Sequence, residues 1–390
     1  MSDVAAVSGA REVRLPNGLL RVHVHRADWS LDRLCGFAAR NNPRRGFLFV
    51  SKVLGKHWPS DPREMALAHN ALASRVPEPS GAPVVFVGMA ETATGLGQGV
   101  FEAYLAQHGL GSAIYIQTTR YPLSGATIVP FDEKHSHAQS LRLHWPEQAA
   151  LREVFLRTTT AVLIDDELST GQTFLSLTSA YRAVNPNLKR LSLVSLTDFM
   201  GEQARANFIG QSGLAEVEFI SLLAGAFEFE ADPSFFATPP PVAQTSVGCR
   251  RAQIGPMSAR LGTDQTLKLP SDVVPNLYDS LPAGRPVLVL GTGEFMHPAF
   301  CVARDLAELG LDVRVQSTTR SPILLAGDVG RCIDLQDPYG EAVPNYLYNV
   351  APEAQSVILC CETQPSAALD DMTSRLGARV LMWGGPPDEH

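Results

Sequence analysis

Short apolar runs without alternation, each followed by a stretch of helical period, recur along this sequence and restrict it to few folds. VVFV at 84–87, IYI at 114–116, AVLI at 161–164, LSLVSL at 191–196 and VEFI at 217–220 are rich in Val, Ile and Leu. A strand of that kind is apolar on both faces, and a sheet hides both only when helices cover it on each side. The intervening stretches supply such helices. Leu96, Val100, Tyr104 and His108, with Phe101 and Leu105, form one stripe that stops at Gly109. Phe174, Leu177, Tyr181 and Val184 form another, ended by Asn185 and Pro186. The expected class is α/β with a mostly parallel sheet.

At 390 residues the chain is long enough for two cored domains. The stretch DPSFFATPPPVAQ at 232–244 carries Pro233 and the run Pro239, Pro240 and Pro241, which suit an extended spacer and not a central strand or helix interior. The expected organisation is therefore a domain over 1–231, a proline-rich linker over 232–254 and a smaller α/β domain over 255–390. In that last part VLVL (287–290), VRVQ (313–316), VILCC (357–361) and VLMW (380–383) repeat the rhythm.

A net charge of −8 has the wrong sign for gripping nucleic acid or anionic lipid over a wide face, and leaves room only for a local basic pocket. The longest nearly uncharged apolar run, 219–227, falls far short of the ~20 residues that cross a bilayer. The N-terminus lacks a signal-peptide core, so a soluble, cytoplasmic protein is expected. Six scattered cysteines with no CxxC pair fit reduced packing residues, with no zinc knuckle implied.

The most informative motif is VLIDDELSTGQT at 162–173. A buried strand runs into Asp165 and Asp166, and Ser169, Thr170, Gly171, Gln172 and Thr173 then open a helix. Small residues and a glycine let consecutive amides and hydroxyls converge on an anion at the positive end of the helix. The two acids on the same rim suit the vicinal hydroxyls of a ribose, so the parts together fit a ribose 5-phosphate. A strand-to-helix turn also carries Asp, Ser, Thr and Gly simply as caps and turn formers. The motif resembles the phosphoribosyl-pyrophosphate (PRPP) binding motif of type I phosphoribosyltransferases. That resemblance implies that Asp165 and Asp166 hold the ribose hydroxyls and that residues 169–173 hold the 5-phosphate. Glu167 stands where that family often has an apolar residue.

Other pieces follow in the family's order. VVFVGMAETATGLG at 84–97 resembles its pyrophosphate loop, with Gly88, Met89, Ala90, Thr92, Ala93, Thr94 and Gly95 as candidate binding positions and backbone amides from Ala90 to Gly95 facing the leaving group. The Gly95, Gly97, Gly99 spacing departs from GxGxxG, which argues against a nucleotide-dependent dehydrogenase. Arg120, ending the run IYIQTTRYP, is a fixed cation suited to phosphate oxygens. GMAETATGLG, TTRYPL, FDEKHSHA, DDELSTG and QSTTRSPI together resemble a narrower group, the phosphoribosyltransferases with an appended TRSP domain found in tellurite-resistance and stress-response gene clusters.

The resemblance implies a type I phosphoribosyltransferase-like parallel sheet with flanking helices and a hood, followed by the C-terminal α/β domain. It implies transfer of ribose 5-phosphate between PRPP and a nitrogenous acceptor, or the reverse, with Mg²⁺ bound chiefly through PRPP or pyrophosphate. Asp165, Asp166 and Arg120 are the expected catalytic groups, with Glu91 and Glu167 as candidate acids or bases. Expected partners are PRPP or a nucleotide and a base-like acceptor, with a homodimer and partners from the same gene cluster left open. A regulator that senses PRPP without turning it over retains the same cradle and stays a second reading.

Two further stretches carry candidate residues. In FDEKHSHAQSLRLHW, His135, His137 and His144 invite either a metal site or a substrate-covering loop. In NNPRRGFLFVSKVLGKHWP, Arg44, Arg45, Lys52 and Lys56 surround an apolar strand of the expected hood, and Lys52 and Lys56, four apart, are expected to share a helix face turned either to phosphate or to solvent. Finally, the halves echo each other: VVFVGMAETATG and IQTTRYP pair with VLVLGTGEFMHP and QSTTRSP, and VLIDDE pairs with VILCCE. That alignment places Cys360 and Cys361 opposite the paired acids. It suggests that 255–390 is a degenerate repeat that kept Gly291 to Glu294 and Arg320 but lost the cradle.

Overall fold

Each buried run of the sequence is a strand in the computed structural model, which describes residues 10–42, 45–79, 81–121, 123, 128–129, 141–235, 259–341 and 343–383. Arg44, His135, His137, Cys249 and most of the proline-rich linker lie outside the described residues. Contacts group the chain differently from the partition expected above. One compact unit takes the described residues of Met1–Met65, Gly225–Pro256 and Lys268–His390, and the other those of Ala66–Ala224 and Met257–Leu267.

In the first unit, β1 (Ala10–Leu15) and β2 (Gly18–Ala27) form an antiparallel hairpin. A single helical turn, α1 (Leu31–Leu34), leads to the antiparallel pair β3 (Cys35–Ala39) and β4 (Phe47–Ser51). Residues 52–58 form a run of bends, so Lys52 and Lys56 do not share the helix face expected of them. Gly55 explains the difference, because its φ of +67° lies in the left-handed region that a right-handed helix cannot use.

After α2 (Pro62–Ala73), the second unit builds the sheet that the apolar runs predict. Its strands are β5 (Val84–Gly88), β6 (Ala113–Gln117), β9 (Thr160–Leu168), β10 (Arg190–Asp198) and residues 216–224 of β11 (Glu216–Ala231). They are parallel throughout, in the order β11-β10-β9-β5-β6. The helices α3 (Thr94–His108), α4 (Ala149–Arg157), α5 (Gln172–Val184) and α6 (Glu202–Ser212) connect them. The segment 121–149 contains the short antiparallel pair β7 (Ile128–Val129) and β8 (Leu143–His144). Since the strands are parallel, their C-terminal ends open onto one crest.

The C-terminal part of the first unit starts with α7 (Val273–Ser280) and repeats this plan on a smaller scale. Strands β12 (Val287–Gly291), β13 (Val313–Ser317), β16 (Ser356–Cys361) and β17 (Arg379–Met382) are parallel in the order β13-β12-β16-β17. Helices α8 (His297–Glu308) and α9 (Ala367–Leu376) accompany them, and β14 (Cys332–Leu335) pairs with β15 (Asn345–Tyr348) in an antiparallel hairpin. No helix among the described residues is long and apolar enough to cross a membrane.

Glycine sets how closely the second unit's first strand and helix approach. A Cβ on Gly97 would sit 2.9 Å from Gly88 Cα, and one on Gly88 would sit 2.2 Å from Tyr115 Oη. Tyr115 has little freedom to yield, because it is fully buried and its hydroxyl donates to the Thr94 carbonyl at 2.9 Å. Gly88→Ala is therefore expected to cost about 1–3 kcal/mol through overpacking, measured as a lowered midpoint in urea with an unchanged slope.

Candidate active site

The crest of β5, β6 and β9 collects most of the residues that the motifs single out. Immediately after β5, the chain turns through Met89, Ala90, Glu91, Thr92 and Ala93 before α3 begins at Thr94. Hydrogen bonds to the neighbouring strands fix this first loop. The Met89 amide donates to the Ile164 carbonyl (2.9 Å), and the Ala90 amide donates to Thr118 Oγ1 (2.8 Å). The Ala93 amide turns back to the Met89 carbonyl at 3.0 Å.

These bonds narrow the expected role of the loop. The amides of Ala90 and Ala93 are committed inside the protein, so they are not available to a leaving group as the motif alone suggests. Gly88, Met89, Ala90, Ala93, Thr94 and Gly95 are buried and form the floor, whereas Glu91 and Thr92 are half-buried and reach toward the surface.

Asp165, Asp166 and Glu167 are half-buried on β9, which runs on through Leu168. The Asp166 amide donates to Asp165 Oδ1 at 2.9 Å, and the Thr92 hydroxyl donates to Asp166 Oδ1 at 2.9 Å. The second bond ties the first loop to the acid pair. Burial, followed by the charge and hydrogen bonding of Asp166, holds the Asp165 carboxyl well above the usual carboxylate range. One of the paired acids therefore keeps a proton where an exposed aspartate would have lost it. A carboxyl whose proton affinity is raised by burial and by a neighbouring acid is a common mark of a functional site.

Beyond β9, Gly171 takes the left-handed conformation (φ 71°, ψ 4°) at the N-cap of α5, a position that glycine holds without the steric penalty of a Cβ. The helix has no side-chain cap, and its nearest substitute is Thr170 Oγ1, a distant 3.5 Å from the Gln172 amide. First-turn amides of a helix lack intrahelical partners and favour an anion. Thr170 and Gln172 are exposed, while Ser169, Gly171 and Thr173 are half-buried. Acids on the strand and an open helix start after it thus form two adjoining parts of one rim.

Arg120 follows β6 in the same unit. Its carbonyl accepts from Arg142 Nη1 at 3.0 Å, and the Thr119 amide and carbonyl pair with Arg142 as an antiparallel bridge. This turn also rests on Arg260, a residue outside every motif of the sequence. Arg260 is almost fully buried, donates through Nε to Thr119 Oγ1 at 3.2 Å and lies 5.4 Å from the Tyr121 ring. Thr263 pairs with Tyr115 along the edge of β6. Only a cation in an otherwise unremarkable stretch marks Arg260 in the sequence.

Lys52 and Lys56 have their partners within their own unit. Both belong to the first unit, where Lys52 donates to the Asp32 carbonyl (3.0 Å) and lies 5.8 Å from the Trp58 ring. Lys56 is fully buried and donates to the Gly293 carbonyl at 2.7 Å. His144 is buried on β8.

Residues 34–226 match the model of a phosphoribosyl transferase family, and residues 258–376 match the model of the TRSP domain found C-terminal to it. No curated protein matches the sequence. Among solved structures, the chain is similar to the adenine phosphoribosyl transferase of Trypanosoma brucei, solved in complex with AMP, pyrophosphate and ribose-5-phosphate. The identity is 14%, over 54% of this chain and 86% of that one, with a TM-score of 0.33. It is also similar to the adenine phosphoribosyltransferase of Leishmania tarentolae (17% identity, 55% of this chain and 94% of that one, TM-score 0.37). A third similar structure is the adenine phosphoribosyltransferase of Thermoanaerobacter pseudethanolicus (17%, 50% and 96%, 0.30).

Asp165→Asn provides a test of the acid pair without any ligand. A folded-state carboxyl with raised proton affinity binds a proton that the unfolded chain has released, so stability falls as pH rises from about 4 toward the raised value. The amide removes that cost. The variant is expected to exceed the wild type in stability at pH 7, with the gap closing near pH 4, as measured by urea denaturation at both pH values.

Proposed function

Because the chain belongs to the phosphoribosyl transferase family over residues 34–226, with a TRSP domain following over residues 258–376, we propose that it is an enzyme transferring ribose 5-phosphate between PRPP and a nitrogenous base or base-like acceptor. The observation that carries this reading is the Thr92–Asp166 hydrogen bond, which joins the first loop to the acid pair at the rim that continues into the uncapped start of α5. Those are the parts needed to hold a diphosphate, a diol and a terminal phosphate side by side.

In this reading, the amides and hydroxyls of residues 169–173 seat the 5-phosphate, aided by the positive end of α5. Asp166 accepts from a ribose hydroxyl, and the proton retained by Asp165 lets that carboxyl donate as well as accept. Arg120 faces the charge that grows on the departing diphosphate, an electrostatic contribution made without a covalent nucleophile. Glu91 and Thr92, the half-buried part of the loop, border the leaving group. The carboxylate of Asp166 is an oxygen donor of the kind that Mg²⁺ accepts, and it would help hold an ion carried by the diphosphate. Mg²⁺ would supply neutralisation of the leaving group's negative charge.

The test is pyrophosphate release from PRPP and Mg²⁺ across a panel of bases, compared with Asp165→Asn/Asp166→Asn and with Arg120→Ala. The wild type is expected to release pyrophosphate with at least one base, and each variant to lose on the order of 100-fold or more in kcat. Tight PRPP binding without release across the whole panel would replace the enzyme with a sensor.

A further inference from the structure

The two halves share more than a rhythm of strands. The order β6-β5-β9-β10 in one unit is the order β13-β12-β16-β17 in the other. The same loop bonds recur: the Thr118 amide donates to the Gly88 carbonyl (2.9 Å), and the Thr318 amide to that of Gly291 (3.2 Å). Thr118 Oγ1 accepts the Ala90 amide (2.8 Å), and Thr318 Oγ1 accepts that of Gly293 (2.9 Å). Thr119 Oγ1 accepts the Tyr121 amide, and Thr319 Oγ1 that of Ser321. Thr119 bridges to Arg142 just before β8, and Thr319 to Tyr346 within β15.

Strand pairing also fixes which residues correspond. Gly88 pairs with Ile164, and Gly291 pairs with Cys360. Counting on two residues from each, the position of Asp166 is taken by Glu362, not by Cys361 as the letter alignment suggests. The second half therefore retains an acid at the crest, and Glu362 is fully buried. Its cradle is different. Pro365 offers no amide, and the Ser366 hydroxyl already accepts the Leu369 amide as the cap of α9.

The segment between β14 and β15 fills the remaining space. Tyr339 Oη lies 2.8 Å from Glu362 Oε1 and 3.1 Å from the Thr292 carbonyl, bridging the second half's first loop and its acid. Arg320, the counterpart of Arg120, pairs with Glu341 at 2.8 Å and with Asp337 at 3.8 Å, and both carboxylate side chains are 1% exposed. The Glu341 amide donates to Asp337 Oδ2 at 2.7 Å, fixing the two acids as one clamp.

We propose that the C-terminal half carries a second anion site of the same construction as the first, occupied from within: Asp337 and Glu341 hold Arg320 where the oxygens of a diphosphate would sit, and Tyr339 takes the place of a sugar hydroxyl on Glu362. The identity of the excluded ligand as a diphosphate rests on the proposed function, whereas the internal occupancy stands on the contacts of this half alone. The domain then does not compete for the substrate of the first half, and the anion site is latent until its two carboxylates are removed.

Calorimetric titration of the full chain with pyrophosphate and Mg²⁺ tests this. The Asp337→Asn/Glu341→Gln variant is expected to bind one more pyrophosphate per chain than the wild type, and a further Arg320→Gln change is expected to abolish that extra site. An unchanged stoichiometry in the folded double variant overturns the proposal. Failure of the first site reads differently, as no binding by the wild type alongside a gain in the variant. If the double variant does not fold, melting supplies the test. Arg320→Gln, by leaving two buried acids without their cation, lowers the melting temperature, and Arg320→Gln with Glu341→Gln restores part of it. Absence of any restoration also overturns the proposal.

Discussion

A threonine hydroxyl at the end of an edge strand determines the shape of everything at the crest. Thr118 Oγ1 accepts the Ala90 amide while its own amide reaches the Gly88 carbonyl, so one residue holds the chain leaving β5 at two points before it turns into α3. Had that amide been left unpaired at such depth, it would have cost about 1–3 kcal/mol. Once it is paired, the loop's inner residues become floor, while Glu91 and Thr92 stay half-buried. Thr92 then reaches Asp166, and the acid pair inherits its position from the same anchor. Removal of one hydroxyl would loosen the loop and the acids together.

The two crests solve the same electrostatic problem in opposite ways. Buried carboxyl groups are costly when charged, and they respond either by keeping a proton or by finding a cation. Asp165 takes the first course: its raised proton affinity lets that carboxyl donate as well as accept. Asp337 and Glu341 take the second with Arg320, although burial still leaves both above the usual carboxylate range despite the arginine's opposing pull. A satisfied cluster of this kind is rigid and closed. An acid pair with one proton remains able to exchange partners.

The strands and helices are legible in the sequence because their signal is periodic and repeated. β5, β9 and β12 carry uninterrupted apolar cores, and α3 and α5 end at the residues that the stripe predicts, next to Gly109 and Asn185. The same uniformity hides the register of the repeat. VLIDDE and VILCCE match by letters at one offset and by hydrogen-bonded neighbours at another, since a strand without alternation carries no phase from which to choose. The spacing of Lys52 and Lys56 misleads for a related reason: four residues suggest a helix face only if no intervening residue needs the left-handed region, and Gly55 does. Tyr339 and Arg260 give no signal at all, because their roles arise from contacts far away in sequence.

The grouping of the first 65 residues with the C-terminal half rests on a buried side chain as well as on strand pairing. Ser60 pairs with Val315 along the exposed side of β13, and the Ser317 amide donates to the Gly55 carbonyl at 2.8 Å, so this segment covers an edge that would otherwise be open. Coverage alone could have come from apolar residues. What arrives with it is Lys56, an ammonium with no exposed surface that donates to the carbonyl preceding Glu294. The buried acids of this half, Glu294, Asp337, Glu341 and Glu362, outnumber Arg320. A buried ammonium is tolerable only among strong acceptors, and buried carboxylates only near cations. The Lys56–Gly293 bond thereby ties two segments more than 200 residues apart in sequence into one unit.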